Sequence, residues 1–400
     1  MPVGTAPQGI AYDSGKGEVF VTNPYSNTVS VISDASSKVV ANVTRLAGPW
    51  GVAYDSAKGE VFVSNYASNT VSVISDSNNN VIANVTVGAG PTGIAYDSSK
   101  GEVFVCNAAS GVSIISDSSD AVVANVAVGG SPSALAYDSN EGRVFAVSSS
   151  GLVSVISDAG NNVIAVVKVG SGPQGVAFDS NKGEVFVSNQ ESNTVSVVSD
   201  AFNSVVANVT HVAGPQGVAY DSGTSELFVT NHASNTVAVV SDASNSVIAN
   251  VTVGTAPIGV AYDSGKGEVF VVNQGSNSVS VVPDTISVTS VTATTTTTTV
   301  TLPGSTVTSV STVTSTLPAG TSTLTSTTTA RTTVTSTATT TAPPSTATAT
   351  LTSTATQTAT TTVTQTSSAV PTWAYGVMVV LLVVGLAIGY VVKRPSARQV

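Results

Sequence analysis

Four sets of residues in this chain have the types and spacing to do chemistry. The first is a run of seven aspartates, Asp13, Asp55, Asp97, Asp138, Asp179, Asp221 and Asp263, separated by 42, 42, 41, 41, 42 and 42 positions. Each follows an aromatic residue, as in Tyr12-Asp13 and Phe178-Asp179. The loop Asp13-Ser-Gly-Lys-Gly-Glu18 has acids at both ends, but a calcium loop needs oxygen ligands at alternate positions, and Lys16 would repel the ion. Each aspartate is therefore expected to accept hydrogen bonds from its own turn. The second set is thin: Cys106, His211 and His232. A single cysteine excludes an internal disulfide, and two histidines without clustered acids make no metal or acid–base set. Cys106 stands where other copies have Thr22 or Ser64, and reads as a packed thiol. No nucleophile motif, phosphate loop or metal signature is present. The expectation is a protein with no catalytic residues, no metal and no cofactor.

The third set is four N-glycosylation sequons, Asn42-Val-Thr, Asn84-Val-Thr, Asn208-Val-Thr and Asn250-Val-Thr, all at one position of the repeat. In an exported protein these asparagines are modification candidates, and sugars there would blunt an open strand edge. The same triplet is also good strand sequence that duplication would copy. The fourth set is the loop positions that differ between otherwise similar copies. Tyr25, Trp50 and Tyr66 are expected to cluster, and Gln174, Gln190, Glu191 and His232 occupy equivalent loops elsewhere. Exposed aromatics and amides on one rim suit recognition of a sugar or a protein, whereas neutral drift would leave such loops without function.

The elements that must position these residues follow from the repeat. The second copy reads as four strands: A (Gly51–Tyr54), B (Glu60–Ser64), C (Thr70–Ile74) and D (Val81–Val87). They are rich in Val, Ile, Phe and Thr and are separated by Gly/Asn/Asp/Ser turns. No stretch of the array sustains a helical period. Four strands per unit of about 42 residues is the period of a β-propeller blade. A stacked solenoid would carry atypical capping units, but the first and last copies resemble the middle ones, which favours a ring. The fold class expected is all-β, a seven-bladed β-propeller. In it the D–A and B–C loops share one face.

Strand B ends in a recurrent motif: VFVTN at 19–23, VFVSN at 61–65, VFVCN at 103–107, VFVSN at 185–189, LFVTN at 227–231 and VFVVN at 269–273. With the preceding P-x-G-[IV]-A-Y-D and the following S-N-T-V-S-V, this resembles the YVTN-type β-propeller repeat. That family is abundant in archaeal and bacterial surface proteins. The resemblance implies a propeller and a surface-layer-like setting, here archaeal, but no single activity. The fourth copy departs, with Ser148 in place of the asparagine, and the B–C loops of the third and fourth copies are one residue short. Local irregularity is expected there.

Composition divides the chain into residues 1–293 (propeller), 294–370 (Ser/Thr-rich stalk), 371–392 (transmembrane helix) and 393–400 (basic tail). Over residues 285–370, 53 of 86 positions are Ser or Thr, a composition of disordered, O-glycosylated stalks. Trp373–Val392 is uncharged, is bordered by Trp373, Tyr375 and Tyr390, and is followed by Lys393, Arg394 and Arg398. This predicts a single span with the C-terminus cytoplasmic and the propeller outside. Gly385 and Gly389 have the spacing of a helix-pairing motif, which predicts a possible homodimer. Residues 1–284 carry all 23 acids and nine bases, 9 − 23 = −14, which excludes nucleic acid as a partner. The low charge also suits an acidic habitat. Met1-Pro2-Val3-Gly4 is no signal peptide, so an upstream segment is expected. The fourth strand of blade seven is expected from Ile286–Val291, with an N-terminal segment as the alternative.

Together these readings predict a membrane-anchored surface protein acting without catalysis in surface-layer association, adhesion or ligand and protein binding, with surface-layer proteins or glycans as partners. The rival readings are an extracellular hydrolase or lactonase of propeller type, and a purely structural spacer.

Overall fold

A computed structural model of the chain describes residues 1–284 except Ser110, together with six strands between residues 299 and 380. The chain divides into two units, Met1–Ile286 and Ser287–Val400.

In the first unit six repeats each fold as one antiparallel meander in the order A-B-C-D, and the seventh supplies A-B-C. Blade two is typical: Pro49–Asp55, Glu60–Asn65, Thr70–Ser75 and Asn80–Thr86. Burial explains the composition of each strand. Strands B and C are buried on both faces, between two neighbouring blades, and so read as continuous Val/Ile/Phe. Strand D alternates exposed and half-buried residues because the blades diverge at the rim. Phe20, Phe62, Phe104, Phe145, Phe186, Phe228 and Phe270 are fully buried, one per blade. The pairing of C with D slips at the same place in six blades, as at Val73/Ile74, a recurrent bulge that adds twist.

The A strands line the axis, where backbones nearly touch. A Cβ on Gly51 would meet the carbonyl oxygen of Thr92 in the next blade, and one on Gly259 would meet that of Gln8 in the first. Only glycine permits that approach. The second of these contacts also shows that the array is a closed ring and not a rod, since blade seven packs on blade one.

Blade seven has three strands of its own, Pro257–Asp263, Glu268–Asn273 and Ser278–Pro283. The place of strand D beside Ser278 and Val279 is taken by the start of the chain. Pro2 pairs with Ser278, Val3 N–H donates to the Asn277 carbonyl at 3.0 Å, and Val279 N–H donates to that of Met1 at 2.7 Å. At those positions the closure therefore runs across the chain ends. Pro2 faces Ser278 as Thr252 faces Thr236 in blade six, so the first residues are already in repeat phase. Ile286–Val291, the strand expected there, lies outside the described residues.

The third and fourth blades keep the regular strand pattern. Their shortened B–C loops turn on Gly111 (φ 95°) and Gly151 (φ 82°), where longer loops place an asparagine such as Asn69 (φ 59°) at positive φ.

In the second unit, Thr323–Ala342 pairs antiparallel with Ser345–Thr364, and Ser305–Thr308 and Thr299–Leu302 extend this to a four-stranded sheet. These strands fall in the stretch expected as an unstructured stalk; β-branched threonine suits them. Thr314–Leu317 pairs with Val377–Val380. Apart from that strand, the segment 371–392 expected as a membrane helix lies outside the described residues, as do Gly385, Gly389 and the tail 393–400. Among the described residues no helix is long and apolar enough to cross a membrane.

Candidate functional site

The D–A and B–C loops form one face of the ring and are tied together by a side chain that sequence reasoning passed over. Asn27 accepts at Oδ1 the N–H of Gly48 in the next blade's D–A loop, at 2.8 Å. Asn69, Asn193, Asn235 and Asn277 repeat this bond to Gly90, Gly214, Ala256 and Ala6 at 2.8–2.9 Å. All five asparagines have positive φ. The recurring S-N-T/S triplet was the available signal, since a left-handed turn residue with a free amide suits such a link. In six blades the D–A loop also accepts from the B–C loop of its own blade, as Tyr66 N–H to the Gly48 carbonyl at 3.0 Å, while in blade one Pro24 has no N–H to give. The loop face is thus a hydrogen-bonded lattice, interrupted after the third and fourth blades, where Gly111 and Gly151 stand in place of the linking asparagine.

On this lattice the structure brings Trp50 and Tyr66 together, with ring centroids 5.8 Å apart and planes inclined by 38°. Both rings are exposed, and the Trp50 carbonyl is fixed by the Thr22 hydroxyl at 2.6 Å. Tyr25 projects from the first blade's B–C loop and joins no ring pair among the described residues. In blade five the Gln174 amide lies 3.4 Å from that of Gln190, and exposed Glu191 lies over Gly172. His232 in blade six is half-buried, its N–H bonded to the Gly214 carbonyl at 3.1 Å. These four residues belong to blades five and six and are not part of the Trp50–Tyr66 pair.

The opposite face holds the aspartates. Asp13 Oδ1 accepts the N–H groups of Gly15 and Lys16 at 2.8 and 3.1 Å, and the other six repeat this turn. Beside six of them sits a tyrosine of the next blade, as Tyr54 beside Asp13, and beside Asp138 stands Phe178. Burial, then the Asp13 carboxylate, pushes the Tyr54 phenol far above its ordinary value. Burial likewise holds Glu18, Glu60, Glu102, Glu184 and Glu226 above the usual carboxylate range. The phenols stay protonated and the turn aspartates hold backbone N–H groups through Oδ1, while Asp13 Oδ2 and Glu18 Oε2 and most of their counterparts are buried without a hydrogen-bond partner. Cys106 is fully buried, its thiol directed at the Ala134 carbonyl at 3.8 Å and pushed up by burial. That leaves no thiolate at neutral pH. Among the described residues no group of three or more His, Cys, Asp or Glu is placed to hold a metal ion.

The sequon asparagines lie on the exposed side of strand D. Asn42, Asn84 and Asn208 accept at Oδ1 from Ser30, Ser72 and Ser196 on strand C, at 2.9, 2.7 and 3.0 Å. Where Ala238 replaces that serine, Asn250 accepts directly from Asn231 at 3.4 Å. The amide oxygen is engaged inward while the side chain faces solvent.

Seven meanders around an axis, with glycine contacts within and a hydrogen-bonded loop face above, define a β-propeller that carries the Trp50–Tyr66 pair on its loop face. The family model described as YNCE-like beta-propeller matches residues 1–266, and the chain belongs to that family. No curated protein matches the chain. Among solved structures, hydrazine synthase of Kuenenia stuttgartiensis is similar at a TM-score of 0.63 and 17% identity, over 70% of this chain and 95% of that one. At that identity the likeness is one of fold.

Proposed function

We propose that this protein is a membrane-anchored cell-surface propeller of the YVTN type that acts by binding, in surface-layer association or adhesion, and not by catalysis. The observation that carries the reading is the Trp50–Tyr66 pair: two large rings left in water on loops fixed by hydrogen bonds to Gly48. Exposed aromatics on a rigid frame are the residues from which interfaces draw most of their energy. The turn aspartates hold backbone N–H groups, the repeat's phenols sit in the seams between blades, and the thiol lies in the core. The solvent-facing asparagines at 42, 84, 208 and 250 support export and glycosylation. The uncharged stretch before Lys393 and Arg394 supports a single span with the propeller outside. Gly385 and Gly389 would let two such spans pair.

Treatment of intact cells with an external protease tests the location. The expected result is loss of the propeller with retention of a short C-terminal fragment; full protection of the propeller until lysis would overturn the surface assignment.

A further inference from the structure

Residues 1–284 hold eighteen aromatic residues: nine Phe, eight Tyr and one Trp. Fourteen obey the repeat. Seven phenylalanines, Phe20 to Phe270, fill the blades, and seven residues from Tyr12 to Tyr262 precede the turn aspartates. Four break it: Tyr25, Trp50, Tyr66 and Phe202, exposed by 80, 36, 49 and 78%. In an array made by copying, a ring present in every copy answers to the fold. A ring found in one copy and left in water is not required by the repeat, and two such rings in contact mark a candidate recognition surface. Three of the four stand on the loop face of blades one and two, and two of them touch.

The surroundings of the touching pair select the ligand. The loop Asn65–Asn69 and the segment Ala47–Gly51 carry no charged residue; the nearest charge along the D–A loop is Arg45. Ion pairing therefore does not dominate recognition there. The apolar area is two adjacent rings, while the positions equivalent to Trp50 in other blades hold Gln8, Thr92, Ser133, Gln174, Gln216 and a buried Ile258. A protein partner would need roughly 800 Å² per side with a broad apolar centre. A pyranose needs less: its C–H face lies on an aromatic ring, and its hydroxyls meet backbone groups and amides at the edge. The loops are already fixed by the Asn27 side-chain bond and the Tyr66 backbone bond to Gly48, so little ordering cost opposes a small rigid ligand.

We propose that Trp50 and Tyr66 form a carbohydrate-binding platform that takes the apolar face of a pyranose ring. This rests on the reading of the loop face as a recognition surface. The sugar can come from other copies of this protein, through its sequons, or from a foreign polymer.

The test is retention of the full-length protein on four immobilised probes: an α-mannan, a β-1,4-glucan, polygalacturonate, and the glycans released from the protein itself. The expected result is retention on at least one neutral probe or on the released glycans. Trp50→Ala and Tyr66→Ala should each weaken it about tenfold or more. Trp50→Phe should keep most of it, and Phe202→Ala all of it. Trp50→Thr installs the residue blade three uses, Thr92, and so separates loss of binding from loss of folding. Retention on the released glycans assigns the source to neighbouring copies; retention on mannan or glucan alone assigns it to a foreign polymer. No retention on any probe overturns the proposal. So does equal retention of wild type and Trp50→Thr, or binding to polygalacturonate alone that is lost in Arg45→Ala and kept in Trp50→Thr. Protease-protected protein whose retention still depends on Trp50 would remove the surface assignment and leave the platform standing.

Discussion

Lys266 of the seventh blade reaches Asp34 of the first, Nζ to Oδ1 at 3.4 Å, and so closes the ring on the face opposite the loops. Lys16, Lys58, Lys100 and Lys182 make the same reach to Asp76, Asp117, Asp158 and Asp242, each in the following blade, at 3.5–3.8 Å. Their ammonium groups also donate to the carbonyl of the same aspartate. Blade four inverts the pattern. Glu141 stands at the lysine position and Arg143 at the position of Glu18, and Arg143 both pairs with Glu141 at 3.5 Å and donates to the Asp200 carbonyl. Blade six alone has no cation: Thr224 holds that position and bonds Asp221 at 2.6 Å. The acids gathered at the seam of blades six and seven, Asp221 and Asp284, raise both Glu226 and Tyr262, after burial.

Thr224→Lys should therefore supply the missing link to Asp284 and stabilise the ring by up to about 1 kcal/mol at low salt, less the lost hydroxyl bond. Lys266→Ala should lose a similar amount. Melting temperatures with and without 1 M salt check this; a Thr224→Lys gain that persists at high salt would contradict the mechanism.

Phe178 occupies the one Tyr-Asp position without a phenol, next in line to Asp138. Burial raises Asp138, while the Glu141 and Asn140 N–H groups pull it down. Phe178→Tyr should give that carboxylate the phenol its counterparts have, favour its charged form and raise the melting temperature at pH 7. A variant that melts lower would show that the seam of blades four and five is packed for a ring without a hydroxyl.

Five half-buried glutamates together with Asp138 and Asp158 have raised values, in each case chiefly through loss of solvent. A carboxylate raised on folding binds its proton more tightly in the native state. Its contribution is complete below the ordinary value near 4 and is lost as pH rises through the raised one. Stability should accordingly increase on acidification from pH 7 toward pH 5. The phenols follow the same sign at the alkaline end: Tyr137 is pushed up to about 12 by burial first, so stability should fall once pH passes the ordinary tyrosine value near 10. Denaturant midpoints from pH 4 to pH 11 check both; a midpoint that drops steadily from pH 7 to pH 5 would overturn the first.

Cys106 should not react with a soluble thiol reagent until the protein unfolds, given its burial and raised thiol. Cys106→Ser should be tolerated, since Ser64 in the same place of blade two bonds the Thr92 carbonyl at 2.5 Å. Rapid labelling of the native protein would show that the seam of blades three and four opens.

What the sequence by itself determined is everything with the period of one repeat. The Tyr-Asp beat and the Val/Phe runs set four strands per blade. The turn aspartates bond backbone two and three residues on, within reach of local geometry. Tyr25, Trp50 and Tyr66 stood out because they broke that period. Tertiary structure decided everything that crosses between blades. Lys16 meets Asp76, sixty residues away. Asn27 pins Gly48 of the next blade, and Met1 and Val3 complete the edge of Ser278–Pro283. It also separated Tyr25 from the ring pair and joined Trp50 to Tyr66. The reason is geometric: alternation and turn chemistry fix register inside a sheet, but the angle at which one blade meets the next arises only when seven of them share an axis.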